Sequence, residues 1–169
     1  MRQILLICLM LFFLAPGSHA GVAAFSARAS IYNPPEDGAS PSFMYGFGFD
    51  YAVNPVVTVR GAAEYTSYTA KGVNYSLMPI TLNVIAHFIP YGQIDPYLGA
   101  GVGLYSKTVG PDESRTLGAQ AVGGIKFYMG NFAAAFEANY MIPDWNKSGK
   151  GDFNCGGWAS GFTYITVPF

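Results

Sequence analysis

Strict period-two alternation runs through this chain, and after the N-terminus no long apolar run replaces it. Such a pattern restricts the fold to strands with two unlike faces. In segment 56–68, Thr58, Arg60, Ala62, Glu64 and Thr66 share one face, and Val57, Val59, Gly61, Ala63 and Tyr65 share the other. The same split recurs elsewhere. Ser26, Arg28 and Ser30 oppose Phe25, Ala27, Ala29 and Ile31, and Gly46, Gly48 and Asp50 oppose Tyr45, Phe47, Phe49 and Tyr51. Thr81, Asn83 and His87 oppose Ile80, Leu82, Val84, Ala86 and Phe88, Gln120 and Lys126 oppose Ala119, Ala121, Ile125 and Phe127, and Glu137 and Asn139 oppose Phe132, Ala134, Phe136, Ala138 and Tyr140.

Eight segments carry this pattern: 22–32, 43–53, 56–68, 76–89, 97–106, 116–129, 132–141 and 158–169. Six charges fall within them, Arg28, Asp50, Arg60, Glu64, Lys126 and Glu137, all on the polar face. A cation on a lipid-facing position at mid-bilayer costs about 2–4 kcal/mol, so this segregation fits a membrane barrel. A soluble barrel with an apolar lumen fits the alternation too, but its exterior would need many Lys and Glu, and six charges over eight strands are too few. The final residues agree. Counting back from Phe169 by twos gives Val167, Ile165 and Thr163, a largely apolar face ending in an aromatic at the interface.

The connections alternate in length. Those after segments 2, 4 and 6, at 54–55, 90–95 and 130–131, are short and hold turn formers. Those after segments 1, 3, 5 and 7, at 33–42, 69–75, 107–115 and 142–157, are longer and polar. Short periplasmic turns and longer outer loops are the habit of outer-membrane barrels, and an even strand count leaves both termini on the periplasmic side. The expected fold is all-β: an eight-stranded antiparallel up-and-down transmembrane β-barrel over 21–169.

Residues 1–20 read as a secretory signal peptide. Met1-Arg2-Gln3 is positively charged, 4–15 is apolar, Pro16-Gly17 breaks it, and Ser18-His19-Ala20 has the small-x-small form of a cleavage site. The apolar part is shorter than the roughly 20 residues of a membrane-spanning helix. Cys8 sits too early for a lipoprotein signal and lacks small residues before it. Without Arg2 the mature chain holds eight Lys and Arg against ten Asp and Glu, a net charge near −2. Nothing in that balance points to nucleic acid. Only Cys155 remains after cleavage, so no intramolecular disulfide forms.

The stretches Met78-Pro-Ile-Thr-Leu-Asn83 and Asp95-Pro-Tyr-Leu-Gly-Ala-Gly-Val-Gly103, with the terminal Phe169, resemble the small outer-membrane β-barrel superfamily of OmpA-, OmpX- and OmpW-type barrels. The resemblance covers the whole mature chain and is specific for architecture. It implies a bare barrel in the outer membrane of a Gram-negative bacterium, handled by periplasmic chaperones and the barrel-insertion machinery, with Phe169 as the assembly signal. Its surroundings would be outer-membrane lipid and lipopolysaccharide.

An eight-stranded barrel has a lumen just wide enough for side chains to fill. Arg28, Arg60 and Lys126 therefore face Asp50, Glu64 and Glu137 in a confined space, where each charge needs a partner. Equal numbers of each sign suggest a closed ion-pair plug, with Arg60 and Glu64 as neighbours on one strand face. The functional alternative is a gated or narrow ion path. Trp145 and Phe153, among charges in the last long connection, are candidates for an outer-loop contact, and Trp158 is assigned to the aromatic girdle.

Other constellations are weaker. His87 is the only histidine of the mature chain and has no serine two residues away, so no catalytic residue is assigned and the chain is not read as an enzyme. Gly99-Ala-Gly-Val-Gly103 lacks phosphate-loop spacing; its glycines instead make room for large lumen side chains. One His, one Cys and scattered carboxylates give no metal-ligand spacing, and no cofactor is expected. The expected function is structural or surface-interacting, through outer loops on a closed barrel. The alternative is a narrow channel or conduit for small hydrophobic solutes, using Tyr97, Tyr105, Phe162 and Tyr164 at its entrance. The least favoured is a lipid A-modifying enzyme.

Overall fold

A computed structural model describes residues 22–90, 92–129, 132–145 and 152–164. Eight strands close into one antiparallel barrel in sequence order: β1 (Val22–Asn33), β2 (Ser42–Ala52), β3 (Val57–Ala70), β4 (Val73–His87), β5 (Ile94–Val109), β6 (Asp112–Met129), β7 (Phe132–Ile142) and β8 (Asp152–Tyr164). Closure joins β1 to β8, with Val22 opposite Tyr164 at one end and Asn33 opposite Phe153 at the other. A closed barrel leaves no unpaired strand edge, the requirement for backbone in lipid.

The faces are inverted relative to a soluble protein. Phe47 and Phe136 are 75% and 73% exposed, while Arg60 is 2% exposed. On β4 the outward residues Met78, Ile80, Leu82 and Val84 are exposed, and Thr81, Asn83, Ile85 and His87 between them are buried. The outward apolar run from Met78 to Phe88 covers about 25 Å along the barrel axis at a 35–45° tilt, the height of a membrane barrel's apolar band.

At the end holding Val22 and Tyr164, which we call the turn end, connections are tight. The Asn54 side chain caps the β2–β3 turn, its Oδ1 accepting from Val56 N at 2.9 Å and Val57 N at 2.8 Å. The opposite end, the rim, differs from the sequence expectation. Residues 69–75 and 107–115, expected as loops, are mostly paired strand. The β3–β4 link is only Lys71-Gly72, with φ of 49° and 79°, and the β5–β6 link is only Gly110-Pro111, with φ of 57° at Gly110. Paired positive φ is what a type I′ two-residue hairpin demands at Lys71-Gly72, and a positive φ at the first position alone, with proline second, is the type II′ pattern at Gly110-Pro111. Polar composition misled here because a strand rising above the bilayer has no lipid face to keep apolar.

Strand β8 also starts earlier than expected, at Asp152 in place of 158. Phe153, Cys155 and Trp158 therefore belong to a strand, and Phe153 pairs opposite Tyr140. The 130–131 turn, the terminal Phe169 and the leader 1–20 lie outside the described residues.

Candidate functional site

The lumen is stacked in three tiers. Nearest the rim, Tyr32, Met44, Tyr68, Leu77, Tyr105 and Met141 form a buried cluster, with Ala39 and Tyr75 against it. Ala39 comes from the β1–β2 loop, which an antiparallel bridge to Ala70 holds against the barrel. Glu36 in that loop accepts from Tyr68 OH at 2.8 Å and pairs with Lys107 of β5. The loop is thus strapped to two strands over an aromatic plug. Partial burial works to raise the Glu36 carboxyl, but the hydrogen bonds from Lys107 and Tyr68 and the Lys107 charge outweigh it and hold the group below its ordinary value.

The middle tier holds the six charges. Arg60 makes a two-pronged contact with Asp50, Nε to Oδ1 at 2.7 Å and Nη2 to Oδ2 at 3.1 Å. Its Nη1 reaches Glu137 Oε2 at 2.5 Å. Arg28 Nε donates to Glu64 Oε1 at 3.1 Å, and Arg28 Nη2 donates to Glu137. Lys126 Nζ lies 3.9 Å from Asp50 Oδ2. Glu137 also accepts from Tyr97 OH at 2.7 Å and Asn139 Nδ2 at 3.2 Å, and the Arg60 guanidinium sits 5.5 Å from the Tyr97 ring centre. Bidentate Arg–carboxylate geometry is the strong form of this contact. Glu137 is the node, since it joins both arginines.

One expected pairing is corrected. Glu64 meets Arg28 of β1 and not Arg60 of its own strand. Positions i and i+4 share a strand face but stand about 13 Å apart at 3.3 Å per residue, out of reach of each other. The partner of Arg60 is Asp50, directly opposite it in the β2–β3 register. A two-residue turn at Asn54-Pro55 would place 50 against 59; the observed link spans 53–56 and shifts the register by one, which sets Asp50 against Arg60.

Small residues make the network fit. A Cβ at Gly48 would sit 2.6 Å from Ser26 Oγ and 3.4 Å from Arg28 Cδ, and one at Gly124 would sit 2.6 Å from Tyr97 OH. On β5, a Cβ at Gly101 would collide with Asn83.

The turn-end tier was missed. His87 Nδ1 is 2.6 Å from Asp95 Oδ2, and His87 Nε2 is 3.0 Å from Thr58 Oγ1. Tyr128 OH adds a contact to Asp95 at 3.4 Å. The sequence reading put Asp95 in a turn, although it alternates with Tyr97 on one face, the signal that could have found it. Thr58, His87 and Asp95 stand in the order of a hydroxyl–imidazole–carboxylate relay. All three are buried, and Ile85, Tyr97, Val122, Ala133 and Ala135 pack together at this end.

The other expected sites separate. Trp145 is 54% exposed beyond β7 at the rim, with its backbone N–H donating to Leu117 O. Phe153 lies in β8, as above. Tyr97 and Tyr105 are both buried at different levels, Tyr97 in the charged tier and Tyr105 in the aromatic plug, so they do not form one entrance.

No protein-family model matches the sequence, and no curated protein matches it. Solved structures do. The N-terminal β-barrel domain of OprF from Pseudomonas aeruginosa superposes with a TM-score of 0.62 at 19% identity, covering 87% of this chain and all of that one. Neisserial surface protein A superposes with a TM-score of 0.62 at 18% identity over 86% of this chain and 99% of that one. This chain has the fold of the small outer-membrane β-barrels. Ail, the attachment invasion locus protein of Yersinia pestis, solved in complex with the heparin analogue sucrose octasulfate, shares that fold with a TM-score of 0.53 at 14% identity, over 85% of this chain and 96% of that one.

Proposed function

We propose that this is an outer-membrane barrel with a closed lumen, and that it acts at the cell surface through its rim. The observation that carries the reading is the filled lumen, with Arg28 and Arg60 both locked on Glu137 beneath an aromatic plug. A barrel so filled is a rigid stand. What it can offer a partner is the rim: the strapped β1–β2 loop, the β3–β4 and β5–β6 hairpins that rise above the apolar band, and exposed Trp145, with Phe153 at the top of β8 as a second candidate contact. Neighbours named for surface and attachment roles support this choice among functions of the fold.

The reading includes removal of 1–20, insertion through a signal ending in Phe169, and surroundings of outer-membrane lipid and lipopolysaccharide. Expressed in a Gram-negative host, the protein should fractionate with the outer membrane, begin at Gly21 and migrate faster in SDS before boiling than after. Protease added to whole cells should cut at the rim. A soluble protein with one mobility, boiled or not, contradicts the reading. Lipid A of that host should keep its mass; a change would favour an enzyme.

One observation favours a second reading, a narrow polar path. Ser26 Oγ, Ser30 Oγ and Arg28 Nη1 of β1 and Asn139 Oδ1 of β7 are buried without a hydrogen-bond partner among the described residues. They lie towards the β7–β8–β1 side of the lumen, where polar atoms without partners can solvate water or an ion.

A further inference from the structure

Outside the lumen, the barrel carries a cavity of about 410 Å³ on the β3–β4–β5 wall near the rim. Its position follows from where the exterior changes character. Outward residues are apolar up to Tyr65 on β3, Met78 on β4 and Leu104 on β5, and the next outward residues are Ser67, Ser76 and Ser106. Ser67 pairs across to Ser76, so the polarity boundary is level on β3 and β4, and on β5 it stands one outward position nearer the turn end, since Ser106 pairs across to Met78 and Thr108 to Ser76. The cavity sits on that boundary.

Its lining is uniform in chemistry. Ser67, Thr69, Asn74, Ser76 and Thr108 supply hydroxyls and one amide. The Thr69 hydroxyl donates to Asn74 Oδ1 at 3.0 Å, which turns the amide over so that its Nδ2 donors make no hydrogen bond among the described residues. The side-chain hydroxyls of Ser67, Ser76 and Thr108 make none there either. Three tyrosines complete the wall. Tyr68 and Tyr75 stack with centroids 5.2 Å apart and planes 3° from parallel, which fixes them, and Tyr65 is 39% exposed. Among the described residues no lysine, arginine, aspartate or glutamate lines the cavity; Lys107 and Glu36, which adjoin Tyr75 and Tyr68, are paired with each other.

We propose that this cavity is a binding site for a neutral saccharide. Hydroxyls and an amide match a ligand that is itself a lattice of hydroxyls, and the exposed Tyr65 ring matches the C–H face of a sugar ring through its negative π-surface, while Tyr68 and Tyr75, stacked on each other, serve as wall. The absence of lining charge separates this class from phosphate, sulfate or carboxylate ligands, which need cations. The volume falls in the range of small-ligand sites, enough for a short oligosaccharide. Rigid tyrosines lower the ordering cost of binding. Given the proposed orientation in the outer membrane, on which this inference rests, the site opens at the outer edge of the apolar band, where the neutral sugars of a surface glycolipid can reach it. The same chemistry could also arrive as a soluble glycan.

The test uses the full mature barrel in nanodiscs, with three probes: a neutral core oligosaccharide (the outer-core hexose part of lipopolysaccharide, free of Kdo and phosphate), lipid A without core sugars, and maltotriose. Titration calorimetry on native protein should show binding of core oligosaccharide or of maltotriose, and none of lipid A. Core binding alone assigns the site to membrane glycolipid, and maltotriose binding assigns it to soluble glycan. Asn74→Ala should weaken the bound sugar at least tenfold, and Ser76→Trp, which fills the cavity, should abolish binding. Tyr140→Phe, on the outer face of β7 and away from the cavity, should bind as the native protein does. Heat-modifiable mobility of each variant reports whether the barrel formed, so a failed site is distinct from a failed barrel. Absence of binding to both sugars by a folded native barrel overturns the proposal, as does undiminished binding by a folded Ser76→Trp.

Discussion

At the residue scale, Glu137 holds the middle of the lumen. Among the described residues it is the one carboxylate seen to contact both Arg28 and Arg60, and it takes Tyr97 and Asn139 as well. Truncating one member of a buried ionic cluster leaves uncompensated charge, at a cost of about 3–5 kcal/mol when fully desolvated. Glu137→Ala should lose that much in urea unfolding from lipid bilayers. Glu64→Ala should lose less, because Arg28 keeps Glu137. Equal losses would mean that Glu137 is not the node. A small residue is tested in the same way. Gly124→Val should cost about 1–3 kcal/mol by overpacking against Tyr97, and unchanged unfolding would show that Tyr97 can move aside. Side-chain type and face were legible at this scale, since alternation fixes which residues point inward. Partners were not, because pairing inside a barrel depends on the register of strands far apart in sequence, as Arg28 with Glu137 shows.

At the scale of elements, the strand count and order followed from period and turn chemistry, whereas the long-short alternation of connections failed at β3–β4 and β5–β6, whose links are two residues each. Hairpin height did not follow either. Residues 107–109 and 112–115 read as loop because they are polar, yet they pair in register across Gly110-Pro111. The β1–β2 loop was expected as a bare acidic connection, and Glu36 makes it a strap to Lys107 and Tyr68. Its carboxyl is held low, so the folded form favours the charged state. The strap is therefore intact above the ordinary glutamate value of about 4.3 and is lost as pH falls through the lowered one. The protection factor for amide exchange at Ala39, whose N–H donates to Glu36 O at 3.1 Å, should stay high at neutral pH and fall only in acid. Glu36→Gln should remove that acid dependence. A protection factor that is already low at pH 7 would mean the strap does not hold the loop.

At the scale of the whole molecule, the described residues give an apolar exterior and a polar, charged interior. On the proposed reading three different chemistries share the sealing: an aromatic plug at the rim, ion pairs at mid-height and the His87–Asp95–Thr58 chain at the turn end. The redundancy has a consequence. Loss of one tier should not by itself open the barrel widely, whereas a lumen relying on ion pairs alone would open on their removal. Single-channel recording of the refolded mature barrel in a planar bilayer tests this most directly, beside Glu137→Ala. The account predicts no openings in the native protein and at most brief, small ones in the variant. Reproducible native openings of stable size would contradict it and make the lumen a pore lined by Arg28, Arg60, Glu64, Lys126 and Glu137.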